Sequence, residues 1–315
     1  MKEAVEERNK FLREEIARLK KEKNALIMAH YYQRDEIQEI ADFIGDSLAL
    51  ARQAAQTDAD VIVMCGVHFM GETAKILCPD KTVLVPDLAA GCSLADSCPP
   101  EEFEEFVKAH PYHTVVSYVN TSAAVKALTD IVVTSGNARQ IIDQLPEEEK
   151  IIFGPDRNLG EYINSETGRR MLLWKGACHV HDRFSLEKIL EMKREHPGAK
   201  ILVHPECRRP LQLVADKVGS TAALLKFARE DDAKEYIVVT ESGILFEMRK
   251  KCPGKTLLAA PAEDAECQCN ECDFMKLNTL EKVYEALRDG APEIKVDEEV
   301  ARKALRPIER MLAMS

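Results

Sequence analysis

One unit is written three times along this chain, and that repetition limits the possible folds more than any other feature. Short apolar runs at 25–29, 114–117 and 200–203 end on His30, Tyr118 and His204, which stand 88 and 86 positions apart. Seventeen residues beyond each end lies a hydroxyl: Ser47, Ser135 and Thr221, the last with Ser220 beside it. A glycine is close by each time (Gly45, Gly136, Gly219), and a helical pattern follows. Thirty-six residues beyond each end, at Gly66, Gly154 and Thr240, a second strand-like run has just finished. A third run follows at 82–85, 171–174 and 256–259. Self-similarity at a fixed long spacing is the mark of a repeated supersecondary unit. Continuous apolar strands alternating with helices imply parallel sheets covered on both faces. The expected fold is α/β: three similar small α/β/α domains with parallel sheets.

On this repeat the chain divides into residues 1–87 plus 275–315, residues 88–173, and residues 174–274. The ends add helices. Val5, Leu12, Ile16 and Leu19 are spaced for one helix face, as are Leu280, Val283, Tyr284 and Leu287. Val300, Ala304, Ile308, Met311 and Leu312 follow the same spacing. The C-terminal segment is expected to pack back on the first unit.

In parallel α/β sheets, ligands sit beyond the carboxyl ends of the strands. The repeat therefore carries His30, Tyr118 and His204 to equivalent edges. Ser47, Ser135, Ser220 and Thr221 fall where helices begin. There a hydroxyl serves as an N-cap or joins an anion site made by free backbone N–H groups. Three such sites facing one centre suit a substrate bearing carboxylates or a phosphate. A net charge of −11 repels nucleic acid and anionic membranes, and neither is expected as a partner. No run approaches the roughly 20 apolar residues of a membrane span. The charged N-terminus is not a signal peptide in character, so a soluble, cytoplasmic protein is expected.

Ten cysteines are many for such a protein, and in a reducing compartment they point to metal or redox chemistry. Cys65, Cys78, Cys207 and Cys252 read as buried thiols. Cys98 reads as a plain surface or buried thiol, and the other five follow the repeat, because each third strand leads into a cysteine-bearing loop. The loops carry Cys92, Cys178 and the group Cys267, Cys269 and Cys272. One cysteine per unit gives three thiolates, which suit a cubane cluster with one iron left open. Zinc held by the crowded third loop and a histidine is the alternative. His181 and Asp182, just after Cys178, are expected to support the site. His110, His113, His179 and His196 read as surface residues.

The residues also carry a resemblance running nearly end to end. It includes Ala29-His30-Tyr31-Tyr32-Gln33, Gly45-Asp46-Ser47, Gly71-Glu72-Thr73-Ala74-Lys75 and Gly91-Cys92-Ser93-Leu94-Ala95. Farther on come Tyr118-Val119-Asn120-Thr121, Ser135-Gly136-Asn137, Gly154-Pro155-Asp156-Arg157-Asn158, Trp174-Lys175-Gly176-Ala177-Cys178, His204-Pro205-Glu206-Cys207, Thr240-Glu241 and Cys272-Asp273-Phe274-Met275. In these the chain resembles the quinolinate synthase family of NAD biosynthesis, which implies that the three α/β domains are set around a pseudo-threefold axis with the site at their central junction. The resemblance implies condensation of iminoaspartate with dihydroxyacetone phosphate to quinolinate, phosphate and water. It implies one [4Fe-4S] cluster on Cys92, Cys178 and Cys272, whose open iron acts as a Lewis acid. Members often have Cys-x-x-Cys-x-x-Cys here, whereas this chain has Cys-x-Cys-x-x-Cys. It implies a substrate-binding set of His30, Tyr32, Ser47, Tyr118, Asn120, Ser135, His204, Glu206, Ser220 and Thr221. Within that set Glu206, Tyr32 and His204 are the catalytic candidates. An aspartate oxidase or dehydrogenase is the implied source of iminoaspartate. An iron–sulfur hydratase acting on another small acid is the alternative function.

Overall fold

The computed structural model describes residues 2–263 and 270–315. Three four-stranded sheets follow one another along the chain, every pairing parallel. The first contains β1 (Ala25–His30), β2 (Phe43–Gly45), β3 (Val61–Cys65) and β4 (Thr82–Leu84). The second contains β5 (Thr114–Tyr118), β6 (Ile131–Val133), β7 (Ile151–Gly154) and β8 (Leu172–Leu173). The third contains β9 (Lys200–Val203), β10 (Lys217–Val218), β11 (Glu235–Val239) and β12 (Thr256–Ala259). Strand order is the same in each: second, first, third, fourth. The central strands of each sheet are buried on both faces, as their unbroken apolar runs require: Ile27, Ile62, Val116, Ile152, Leu202 and Ile237 have almost no exposure.

The sequence repeat indicated three strands per unit, and the structure has four. The additional strand in each is β2, β6 or β10, two or three residues long, at the sheet edge. Runs that short have no measurable periodicity. Their placement matters, because the repeated hydroxyls stand just beyond their carboxyl ends. An aspartate fixes each of these turns. Asp42 accepts a hydrogen bond from Ile27 N–H at 2.9 Å, Asp130 from Val115 N–H at 2.8 Å and Asp216 from Ile201 N–H at 2.8 Å. Each aspartate returns its own N–H to the carbonyl of the same strand residue, at 2.8, 2.9 and 2.9 Å. The latch reproduces the spacing of the repeat.

The N-terminal helix Lys2–Glu22 buries Leu12, Ile16 and Leu19 together with Leu280, Val283 and Leu287 of helix Leu280–Asp289, over Ile27 and Val63 of the first sheet. The last helix, Glu298–Ala313, buries Ala304, Ile308 and Met311 and reaches the second unit. There Arg310 donates to Asp130 O at 2.9 Å. No helix among the described residues is long and apolar enough to cross a membrane.

Candidate active site

The carboxyl ends of the three first strands meet at a single pocket. His30, Tyr118 and His204 line it, and so do the residues two places beyond them: Tyr32, Asn120 and Glu206. Ser47, Ser135 and Thr221 join from the edge-strand turns, and Cys92, Cys178 and Cys272 from the loops after the fourth strands. Ser220 is not among the lining residues. It is buried at the start of helix Thr221–Glu230, where its hydroxyl accepts from Ala223 N–H.

That division of labour changes the reading of the hydroxyls. Capping falls to Asp46 and Ser220, which accept from Ala49 N–H at 3.0 Å and Ala223 N–H at 3.3 Å. Ser47 and Thr221 occupy the first helical position instead. Neither hydroxyl is needed for a cap, so both are free to meet a ligand. Ser135 precedes the helix of its unit, whose N-cap residue is Asn137.

Glu206 is the centre of the polar network. Tyr118 Oη donates to its Oε1 at 2.5 Å, and His181 Nδ1 lies 3.2 Å from its Oε2. His181 Nε2 is 2.8 Å from Thr240 Oγ1, which is 2.6 Å from Tyr32 Oη. A hydrogen-bonded chain thus runs Tyr32–Thr240–His181–Glu206–Tyr118, with Thr221 Oγ1 3.1 Å from the Tyr32 hydroxyl. The two strand-end histidines have matching roles. Tyr32 N–H donates to His30 Nδ1 at 3.2 Å, and Glu206 N–H to His204 Nδ1 at 3.4 Å. With Nδ1 accepting in both rings, each proton sits on Nε2.

Burial sets the charge states. It pulls the His30 and His204 imidazoles down to about 3, so both are neutral at pH 7. It pushes the Tyr32 and Tyr118 phenols well above their usual range, so both keep their protons. Burial also works to raise Glu206, but His181 beside it and the Tyr118 hydroxyl outweigh that and hold the carboxyl below its ordinary range. The pocket is therefore rich in neutral donors, and of the three carboxyl groups lining it, Asp46, Glu206 and Glu241, Glu206 is the one in contact with both Tyr118 and His181.

The three loop cysteines are half-buried and free. Each begins a short helical turn: Ser93–Asp96, His181–Arg183 and Met275–Leu277 come one or three residues later. The backbone N–H three residues on, from Ala95, His181 or Met275, acts on each thiol and opposes the effect of burial. Burial prevails, raising Cys92 to about 12 and Cys272 to about 11, with Cys178 also well up. Buried carboxylates anchor two of the loops. Asp156 accepts Cys178 N–H at 3.3 Å, and Glu241 accepts Cys272 N–H at 3.1 Å. Glu241 is itself paired with Lys276 at 2.9 Å. A second group with ligand chemistry, Cys178, His181 and Glu206, has its donor atoms within 4.8 Å of one another. Cys65, Cys78, Cys98, Cys207 and Cys252 are buried and do not line the pocket. Cys267 and Cys269 lie outside the described residues.

Comparison with known proteins agrees with this arrangement. Residues 14–313 match the family described as "Quinolinate synthetase A protein". The chain belongs to the quinolinate synthase family. It is similar to a protein of Synechococcus sp. named "Quinolinate synthase", 58% identical over 300 residues that cover 95% of this chain and 94% of the relative. Proteins of the same name from Thermosynechococcus vestitus and Chloroherpeton thalassium are 56% and 55% identical, covering 95% and 96% of this chain and 94% of each relative. The chain is thus an enzyme of this family, as its sequence resemblance implied.

Several pocket residues were not singled out by the repeat. His179 was expected at the surface, but it lines the pocket, 2.6 Å from Ser93 Oγ through its Nδ1. His181, expected in a supporting role, occupies the middle of the hydrogen-bonded chain. Its only sequence signal was its place three residues after Cys178. Glu241 also lines the pocket, and Thr240 beside it follows β11 at the position that Gly66 and Gly154 hold in the other two units. The change from glycine to a hydroxyl there was the available signal.

Proposed function

We propose that this enzyme makes quinolinate by condensing iminoaspartate with dihydroxyacetone phosphate, with loss of phosphate and water, as a step of NAD biosynthesis. The observation that carries the proposal is the joining of the Tyr32–Thr240–His181–Glu206–Tyr118 chain to a three-thiol edge in a single pocket.

The donor set fits a [4Fe-4S] cluster on Cys92, Cys178 and Cys272. Their sulfurs share the pocket but are not all within 4.8 Å of one another. A single zinc ion, with Zn–S bonds of about 2.3 Å, would require them to be closer together. When bound, such a cluster with three protein ligands offers one open iron as a Lewis acid for a substrate hydroxyl or carboxylate.

The chain's own residues account for the rest. Both substrates are anions, and His30 and His204 offer neutral Nε2–H donors to them. Ser47 and Thr221 add hydroxyls at helix N-termini, where the backbone favours negative charge. The buried Asn120 Oδ1 has no partner among the described residues, so it is positioned to accept an N–H or O–H from substrate. Interconversion of carbonyl, enol and enamine forms requires a group that takes up and returns protons. Glu206 is that group. Tyr118 and His181 relay protons to and from it, and Tyr32 lies at the far end of the chain. The neutral phenols limit water access and orient the condensing partner.

The test is quinolinate formation from the two substrates by anaerobically prepared enzyme, followed together with iron content and visible absorbance. Cys92→Ser should remove the absorbance and the product together. Full activity in iron-free protein would refute the cluster's role. Release of a different acid from the same substrates would refute the assignment of the reaction.

A further inference from the structure

Three side chains outside the pocket repeat the geometry of the three units in a way the chemistry above does not use. Gln38 Nε2 donates to Tyr31 O at 3.1 Å and Gln33 O at 2.9 Å. Lys126 Nζ donates to Val119 O at 2.8 Å and Thr121 O at 2.5 Å. Gln212 Nε2 donates to Pro205 O at 2.9 Å and Cys207 O at 2.7 Å. Positions 38, 126 and 212 carry the same 88 and 86 spacing as the strand ends. In each case the two gripped carbonyls flank a single pocket residue: Tyr32, Asn120 or Glu206. We infer that Gln38, Lys126 and Gln212 are positioning residues of the active site, one per unit, each fixing the turn that aims its bracketed side chain into the pocket.

The donor chemistry supports a grip over simple filling. All three side chains are buried. The carbonyl oxygens of Gln38 and Gln212 have no partner among the described residues, a cost that an apolar side chain would avoid. Those positions keep the amide for its two N–H groups. Lys126 serves the same purpose with three donors and no acceptor. Burial draws its ammonium down to about 8, and the charge of Glu72 acts to keep it protonated.

Each clamp also touches a neighbouring unit. Gln38 reaches Gly243 O of the third unit at 2.9 Å, Gln212 reaches Asn158 O of the second at 3.5 Å, and Lys126 lies 5.3 Å from the Phe69 ring of the first. These contacts run in one cyclic sense. The turn that carries a catalytic side chain is therefore tied to the seam across which its partners come.

This inference rests on the proposed quinolinate synthase activity, and quinolinate formation by the parent enzyme tests that activity separately. The test of the clamp compares Lys126→Gln, which restores the amide of the other two units, with Lys126→Met, which has no donor. Lys126→Gln should keep kcat within about threefold of the parent. Lys126→Met should lose about 100-fold in kcat, as expected when a reacting group is misplaced by about 1 Å, with iron content unchanged. Gln212→Met, which releases the turn carrying Glu206, gives the same comparison if Lys126→Met does not fold. Crystal structures of the Met variants should show the 119–121 or 205–207 turn displaced, an outcome independent of any activity. Parental kcat in both Met variants would overturn the inference. So would an undisplaced turn, or equal loss in Lys126→Gln and Lys126→Met, which would assign the effect to charge.

Discussion

Replacing Glu206 by Gln separates proton exchange from shape at the centre of the network. The side chain keeps its volume and one acceptor oxygen, so either the Tyr118 hydroxyl or His181 keeps its partner. The amide can neither take nor return a proton. A positioned acid/base contributes roughly 10²–10⁴ in rate. The expected fall in kcat is therefore about 100-fold or more, with KM for dihydroxyacetone phosphate little changed. Stability should fall too, because the partners that keep the 3% exposed carboxylate ionised more than offset its desolvation. Steady-state quinolinate formation gives kcat and KM, visible absorbance gives cluster content, and a thermal melt gives Tm. A Glu206→Gln enzyme that keeps its absorbance and turns over within about fivefold of the parent would remove Glu206 from proton transfer, since such a loss is smaller than a general base supplies.

Acid should destabilise the fold through His30 and His204. Their folded values near 3 lie below the ordinary 6.5, so between those limits the unfolded chain binds more protons. Their contribution is complete above about pH 6.5 and drains away as pH falls toward 3, by up to a few kcal/mol for each buried ring. Urea midpoints at pH 7.5 and 5 should differ less for His30→Gln than for the parent, and equal differences would refute this. Cys272→Ser should lose bound iron while Cys98→Ser keeps it, as measured by metal analysis. Iron retained in Cys272→Ser would move the third ligand elsewhere in its loop. Asp216→Ala removes one latch and should cost about 1 kcal/mol in a urea melt, the worth of an ordinary hydrogen bond, without changing the pocket.

Much of this site could be read from the sequence because the repeat is a positional code. Equal spacing carried His30, Tyr118 and His204 to equivalent strand ends, and one parallel-sheet rule then placed them at a pocket. What escaped has identifiable causes. The edge strands β2, β6 and β10 are too short to show a period. His181 stands where no counterpart repeats, and Thr240 stands at a repeated position whose counterparts, Gly66 and Gly154, carry no side chain to draw attention to it. Ser47 and Thr221 looked like caps because hydroxyls at helix starts usually are. Only the structure shows Asp46 and Ser220 doing that work one residue earlier.

The matched positions carry one further consequence. A frame of three equal units would present the same chemistry from every side and could not tell one end of a ligand from the other. Here the backbone repeats but the side chains do not. Tyr118 departs from His30 and His204 at one site, and Tyr32, Asn120 and Glu206 all differ from one another at the next. The scaffold supplies three equivalent stations, and substitution has given each its own task. A ligand with two unlike ends can therefore be held in one fixed orientation.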